Sequence, residues 1–213
     1  MSAKTEKVRF KTSDGFTIHG NLFRAGKNAV LLMHQFQLDK SSFDSFAQKL
    51  NRAGLTALAI DLRGHGESTG QNGKRRGFTG FSGQDFRDME LDAKAAKQFL
   101  EKEGFALFGA VGSSIGANTA LNFAALDSAV KKVVLLSPGL EYLGIETAPS
   151  APKVKGSVLC VSSAEDEYSF ATCKTLVPEM PNAEEMDLSG AGHGTYMFRK
   201  QGLEDEIVKW LLK

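Results

Sequence analysis

Two cysteines in a chain of 213 residues, Cys160 and Cys173, are too few for a disulfide framework and lack metal-type spacing. Cys160 falls in an apolar, strand-like run and reads as a small buried hydrophobe. Charge of one sign is lacking too: 26 Lys and Arg against 25 Asp and Glu leave a net charge of +1. Such a chain has no global field to draw it to nucleic acid or to an anionic membrane. The one conspicuous basic run, Lys74-Arg75-Arg76, is short. No apolar run reaches the length of a bilayer span, and the polar stretch Met1 to Arg9 carries no apolar signal segment. These absences imply a reducing, cytoplasmic setting, no stable membrane insertion and no nucleic-acid partner. No repeat, linker or low-complexity tract divides residues 1–213, so they are expected to form a single domain with a substantial core. The oligomeric state is left open.

What is present alternates between strand and helix. Lys7 to Lys11 and Phe16 to Phe23 alternate polar and apolar residues around Ser13-Asp14-Gly15, which predicts an antiparallel hairpin. Ala29 to Met33 and Leu55 to Ile60 are continuous apolar runs, as in strands buried on both faces. Helices are predicted over Ser41 to Arg52 and Gln84 to Lys102, the second with Phe86, Met89, Ala93, Ala96 and Leu100 on one stripe. Strands follow at Ala106 to Val111, Lys132 to Leu136, Ser157 to Val161 and Glu185 to Leu188. Helices follow at Ala117 to Leu126, Phe170 to Leu176 and Leu203 to Leu212. Alternation of this kind gives an α/β fold with a mostly parallel central sheet and helices on both faces. Ligand sites in such sheets lie beyond the carboxyl ends of the strands.

Gly112-Ser113-Ser114-Ile115-Gly116 stands at one of those ends, between strand and helix. A serine at the tip of a sharp strand-to-helix turn needs glycine two residues before and two after it, where the backbone is crowded. Gly112 and Gly116 supply that around Ser114. Centring the turn on Ser113 would place Val111 and Ile115 there instead. A nucleophilic serine needs histidine as base, and the imidazole needs a carboxylate to fix its tautomer. Both stand at later strand ends: Asp166 within Glu165-Asp166-Glu167, and His193 among Gly190, Gly192 and Gly194. Asp166 competes with Glu165 and Glu167, and more distantly with Glu141.

The chain order Ser114, Asp166, His193 resembles that of α/β-hydrolases. Asp61-Leu62-Arg63-Gly64-His65-Gly66-Glu67-Ser68 is similar to a segment that follows the fourth strand in that superfamily, and Leu31-Leu32-Met33-His34 to the strand before its oxyanion loop. The resemblance covers nearly the whole chain. It implies Ser114, Asp166 and His193 as catalytic triad, with Asp166 favoured by its small-x-x-Asp spacing from Ser163. It also implies an oxyanion hole of two backbone N–H groups, those of Ile115 and Phe36. Gln35 stands where the family usually has glycine, so Gln35 is an alternative donor. His34 and His65 are read as structural residues beneath the site, Asp61 as ordering the turn from Arg63 to Ser68, and His19 as lacking a functional signal.

Gly70 to Gly83 carries five glycines, the basic run, Phe78 and Phe81. Two readings stand: a flap whose aromatics line a substrate pocket together with Gln35, or a solvated surface loop. The segment from Ser137 to Gly156 holds Pro138, Pro149 and Pro152, which exclude a long helix and hence a large cap. The resemblance is closest to small lidless carboxylesterases, thioesterases and dienelactone-hydrolase-like proteins. Serine at position 114 speaks against dienelactone hydrolysis itself, whose nucleophile is cysteine. The expected activity is cleavage of a small-molecule ester or thioester through an acyl-serine, needing no cofactor and no metal. The alternatives are a non-catalytic ligand-binding or receptor protein on the same fold, or an acyltransferase or perhydrolase using the same triad.

Overall fold

The computed structural model describes residues 5–213; the expectation for the leading segment therefore lies partly outside the described residues. The antiparallel entry forms as β1 (Thr5–Lys11) and β2 (Phe16–Phe23), turning through Gly15 at φ 91°. Next come β3 (Asn28–Met33), α1 (Asp44–Arg52) and β4 (Thr56–Ile60). A short hairpin follows, β5 (Gly70–Gln71) and β6 (Lys74–Arg75), then α2 (Gly83–Arg87) and α3 (Met89–Lys102). The second half runs β7 (Ala106–Ser113), α4 (Ile115–Leu126) and β8 (Lys132–Leu136). It then forms a second hairpin, β9 (Glu141–Tyr142) and β10 (Ile145–Glu146), and closes with β11 (Ser157–Ser163), α5 (Glu167–Leu176), β12 (Ala183–Leu188) and α6 (Leu203–Leu212).

The sheet runs β12-β11-β8-β7-β3-β4-β2, and β1 and β5 both pair with β2. The pairings β4–β3, β3–β7, β7–β8, β8–β11 and β11–β12 are all parallel. The continuous apolar runs have a simple cause: successive side chains feed opposite faces. Leu31 and Met33 of β3, Val133 and Leu135 of β8, and Val158 and Cys160 of β11 pack with α3, α4 and α5. Their neighbours Val30, Leu32, Val134, Leu136, Leu159 and Val161 pack with α1 and α6 on the other face.

Three expectations are corrected. The long helix from Gln84 breaks at Asp88 into α2 and α3, because Ser82 and Asp85 form a capping box that starts a separate first segment. α5 begins at Glu167, with Asp166 at its N-cap position, so the acidic run is a helix start. Cys160 is not a free thiol: it is disulfide-bonded to Cys173, whose place in α5 sets their Cα atoms 5.8 Å apart across the strand–helix contact. Cysteine usage therefore gives no ground for a reducing compartment. Among the described residues, no helix is long and apolar enough to cross a membrane.

A buried ion pair fastens the hairpin β1–β2 to the layer above it. Arg63, after β4, points its Nε at Asp92 Oδ1 of α3 (2.9 Å) and its Nη1 at Asp14 Oδ2 of the β1–β2 turn (2.9 Å). Its guanidinium lies 4.8 Å from the Phe16 ring centroid.

Candidate functional site

Ser114 sits between β7 and α4 at φ 53° and ψ −117°, a backbone conformation that non-glycine residues rarely adopt. It is held there from both sides. Its N–H donates to Leu136 O of β8 (2.8 Å), and its carbonyl accepts from Ala117 and Asn118, starting α4. A Cβ on Gly112 would lie 2.0 Å from the carbonyl oxygen of Gly116. A Cβ on Gly116 would instead strike the carbonyls of Met33 (2.2 Å) and His34 (2.6 Å). The second glycine is thus required by the end of β3, not by its partner glycine.

Asp166 Oδ2 stands 2.7 Å from His193 Nδ1. The pairing orients the imidazole, with Nδ1 carrying the hydrogen toward the carboxylate and Nε2 left to accept. Burial works to raise the Asp166 carboxyl, but hydrogen bonds from His193 and from the hydroxyls of Ser137 and Ser169 outweigh it and hold it below the ordinary value. Ser137, itself at φ 51° and just after β8, accepts from the Gly194 N–H (2.9 Å), so its hydroxyl ties that strand end to the His193 loop.

The other acids have different work. Glu165 accepts from the N–H groups of Gly190 (2.9 Å) and Gly192 (2.7 Å), a clasp on the loop just before His193. The Gly192 amide is the main cause that holds the Glu165 carboxyl down to about 2. A depressed carboxyl supports the folded loop fully above its ordinary value of 4.5 and loses that support as pH falls through about 2. Glu165→Gln is expected to lower kcat on any ester the protein turns over roughly tenfold by loosening His193, leaving Asp166 in place. Steady-state kinetics alongside a thermal melt check this, and an unchanged kcat rejects the clasp. Glu141 accepts from Gly144 within its own hairpin, and Glu167 is exposed in the first turn of α5.

The amides of Ile115 and Phe36, the two expected oxyanion donors, have no acceptor among the described residues. Ile115 is the first residue of α4, where an N–H has no intrahelical partner and the helix end is positive. Phe36 lies in a turn closed by Leu38 N–H to Gln35 O (3.2 Å), with Gln37 at φ 63°. The Gln35 side chain is buried, not presented to a cavity. Its Oε1 accepts from Ser113 Oγ (2.9 Å), Thr195 N (2.9 Å) and Thr195 Oγ1 (3.1 Å). It thereby binds the end of β3 to the elbow and to the His193 loop. A Cβ on Gly194 would come 2.2 Å from that oxygen.

The segment from Gly70 to Gly83 is an ordered hairpin and turn. Phe78 stacks on His65 (4.5 Å) and meets Phe36 (5.0 Å), so it adjoins the Phe36 turn. Phe81 packs on Phe16 and Phe86 and under Arg76. Arg76 pairs with Asp85 (2.7 Å), while Lys74 and Arg75 lie exposed on β6. His34 is fully buried, with Nδ1 donating to Gln35 O (2.7 Å) and Nε2 accepting from Leu62 N–H (3.0 Å). Burial pushes its pKa down to about 4, so it stays neutral. Asp61 accepts from the Glu67 N–H and from the Lys40 N–H and ammonium. No group of three His, Cys, Asp or Glu that could hold a metal occurs among the described residues.

The sequence reading missed Tyr142. The hairpin β9–β10 takes the place of a large cap and is fixed to α4 by Asn118, which donates to Ile145 O (2.8 Å) and accepts from Gly139 N–H (3.0 Å). It holds Tyr142 edge-on to His193, with ring centroids 6.4 Å apart, and within 3.0 Å of the Ser169 hydroxyl of α5. Two-residue strands leave too little periodicity to be seen in advance. Two open clefts lie beside the His193 loop. One of about 490 Å³ lies between Gln37–Leu38 and Tyr196–Arg199, and one of about 530 Å³ runs along Gly190–Gly192, Arg199 and Lys200.

The sequence profile of the alpha/beta hydrolase fold matches residues 28–159. A polyketide transferase of Penicillium crustosum is 36% identical over 140 residues, covering 62% of this chain and 44% of that protein. A thiohydrolase of Arthrinium phaeospermum is 34% identical over 137 residues, covering 63% of this chain and 43% of that protein. The chain thus spans less than half the length of the curated relatives it matches. An esterase structure from Pyrococcus furiosus superposes with a TM-score of 0.79 at 16% identity, over 99% of this chain and 91% of that one. At that identity the superposition speaks to the fold alone.

Proposed function

Because the chain belongs to the α/β-hydrolase fold family, we propose that it is a serine hydrolase cleaving an ester or thioester of a small molecule through an acyl-serine intermediate. The observation that carries this reading is the strained Ser114 backbone at a helix N-terminus, at the same sheet end as a histidine hydrogen-bonded to a carboxylate.

Ser114 Oγ attacks the acyl carbon while its proton passes to His193 Nε2. The carbonyl π electrons move onto oxygen, which takes hydrogen bonds from the N–H groups of Ile115 and Phe36. Asp166 stabilises the imidazolium through Nδ1. The tetrahedral adduct collapses, expelling alcohol or thiol, which leaves with the proton from His193. Water then adds to the acyl-enzyme, giving its proton to His193, and collapse frees the acid and restores Ser114.

The thiohydrolase relative supports thioesters as substrates, and the transferase relative supports a second reading in which another nucleophile replaces water in the second half. A panel of p-nitrophenyl esters of rising chain length and matching acyl thioesters separates these. Release of free acid at the rate of leaving-group release is the expected result. Acid release that lags unless an alcohol or amine is added favours transfer. No turnover of any member speaks for the non-catalytic alternative.

A further inference from the structure

The loop that carries His193 leaves β12, an edge strand that pairs only with β11. Gly190 and Gly192 adopt φ 65° and 83°, so little in the loop's own backbone fixes its path. Four consecutive residues are held from one side. Glu165 accepts from the N–H groups of Gly190 (2.9 Å) and Gly192 (2.7 Å), and Ser163 Oγ accepts from Ala191 N–H (3.1 Å). Asp166 Oδ2 lies 2.7 Å from His193 Nδ1.

All three acceptors stand in the turn between β11 and α5, and the Cys160–Cys173 disulfide closes that turn from behind. The turn itself is short: Asp166 N–H donates to Ser163 O (2.9 Å), and Asp166 O accepts from Phe170 N–H (2.9 Å), starting α5. α5 has a weak grip of its own. Of its ten residues only Ser169, Thr172, Cys173 and Leu176 are buried. Thr172 Oγ1 is buried with no hydrogen-bond partner among the described residues, which weakens that grip further. The covalent bond to β11 is therefore the main anchor of the element that starts at the triad acid.

On the reading that His193 activates Ser114, we propose that Cys160 and Cys173 are positioning residues: their disulfide holds the acid and the His193 loop in register, so the oxidised chain is the active form and the reduced chain a slow one. A dithiol switches it. One dithiol thiolate attacks a cysteine sulfur and breaks the S–S bond, giving a mixed disulfide. The second thiol then displaces that cysteine and closes the dithiol into its own disulfide. Two electrons and two protons pass to Cys160 and Cys173. Removing a cross-link around a loop of this length multiplies the open population of the tethered segment by roughly a hundredfold.

The test compares three proteins: the oxidised chain, the same chain reduced with dithiothreitol in mild urea and returned to buffer, and the double variant Cys160→Ala, Cys173→Ala. Two readouts are taken well below the melting temperature. Amide exchange over residues 189–194 is expected to speed at least about tenfold without the disulfide, while β3 and α1 keep their protection. Labelling of Ser114 by a small fluorophosphonate is expected to slow about tenfold, and reoxidation of the reduced chain to restore it. A cross-link that serves stability alone lowers the melting temperature and moves neither readout. Unchanged exchange over 189–194, or faster exchange with an unchanged labelling rate, overturns the proposal. If the double variant does not fold, the reduced chain, which keeps both sulfurs in the core, decides alone. Ser114→Ala is the control: if it still takes the label, the nucleophile reading is wrong, and the exchange result still says whether the disulfide holds the loop.

Discussion

Replacing Ser114 by alanine is expected to lower kcat on any ester or thioester the protein turns over by at least about 10,000-fold, with KM little changed. The substitution removes one oxygen and leaves the elbow intact, since Ser114 is held by its own N–H and carbonyl rather than by its side chain. A residual rate above that of water would come from the Ile115 and Phe36 amides, which still bind the developing oxyanion. Ser113→Ala is the informative neighbour. Ser113 Oγ is buried and bonded to Gln35 and Thr195 N, so its loss loosens the bracket behind the site and is expected to lower kcat far less. Reversal of the two effects would move the nucleophile to Ser113.

The largest effect on stability is expected at Asp92. It is fully buried and takes two hydrogen bonds from Arg63, from the backbone N–H and from Nε. Burial drives its carboxyl up to about 6 despite the guanidinium beside it. Between pH 3.8 and 6 the folded protein therefore holds more protons at this group than the unfolded chain does. Its contribution to stability is fullest below pH 3.8 and is lost as pH rises through about 6, the opposite sense to Glu165. Asp92→Ala leaves a buried guanidinium with only Asp14 (2.9 Å) and the more distant Asp88 (3.9 Å) for partners and is expected to cost about 3–5 kcal/mol in urea unfolding. The double change Arg63→Met, Asp92→Leu removes both charges and is expected to recover most of that loss. If the single change costs no more than the double, the pair is not what fastens the β1–β2 hairpin.

Much of the fold was legible because the parallel strands are buried on both faces. Runs such as Ala29 to Met33 need no partner to be recognised, and each alternate residue has a layer waiting. The elbow was legible for a steric reason, although Gly116 answers to Met33 and His34, contacts from a distant strand. Asp166 could be preferred over Glu165 only by analogy; the structure separates them by giving one carboxylate the imidazole and the other two backbone amides. What could not be read depends on distant contacts or on very short elements. The disulfide needs the packing of α5 on β11, the Gln35 bracket joins residues far apart in sequence, and Tyr142 arrives on a two-residue strand.

The central claim is that Ser114 becomes covalently acylated. Incubating the protein with a slowly released ester, quenching in acid and mapping the peptides by mass tests it most directly. The account predicts a one-to-one adduct of the acyl mass, confined to Ser114 and absent from the Ser114→Ala protein. An adduct on Ser113 or on a cysteine, or turnover with no adduct at any quench time, would contradict it.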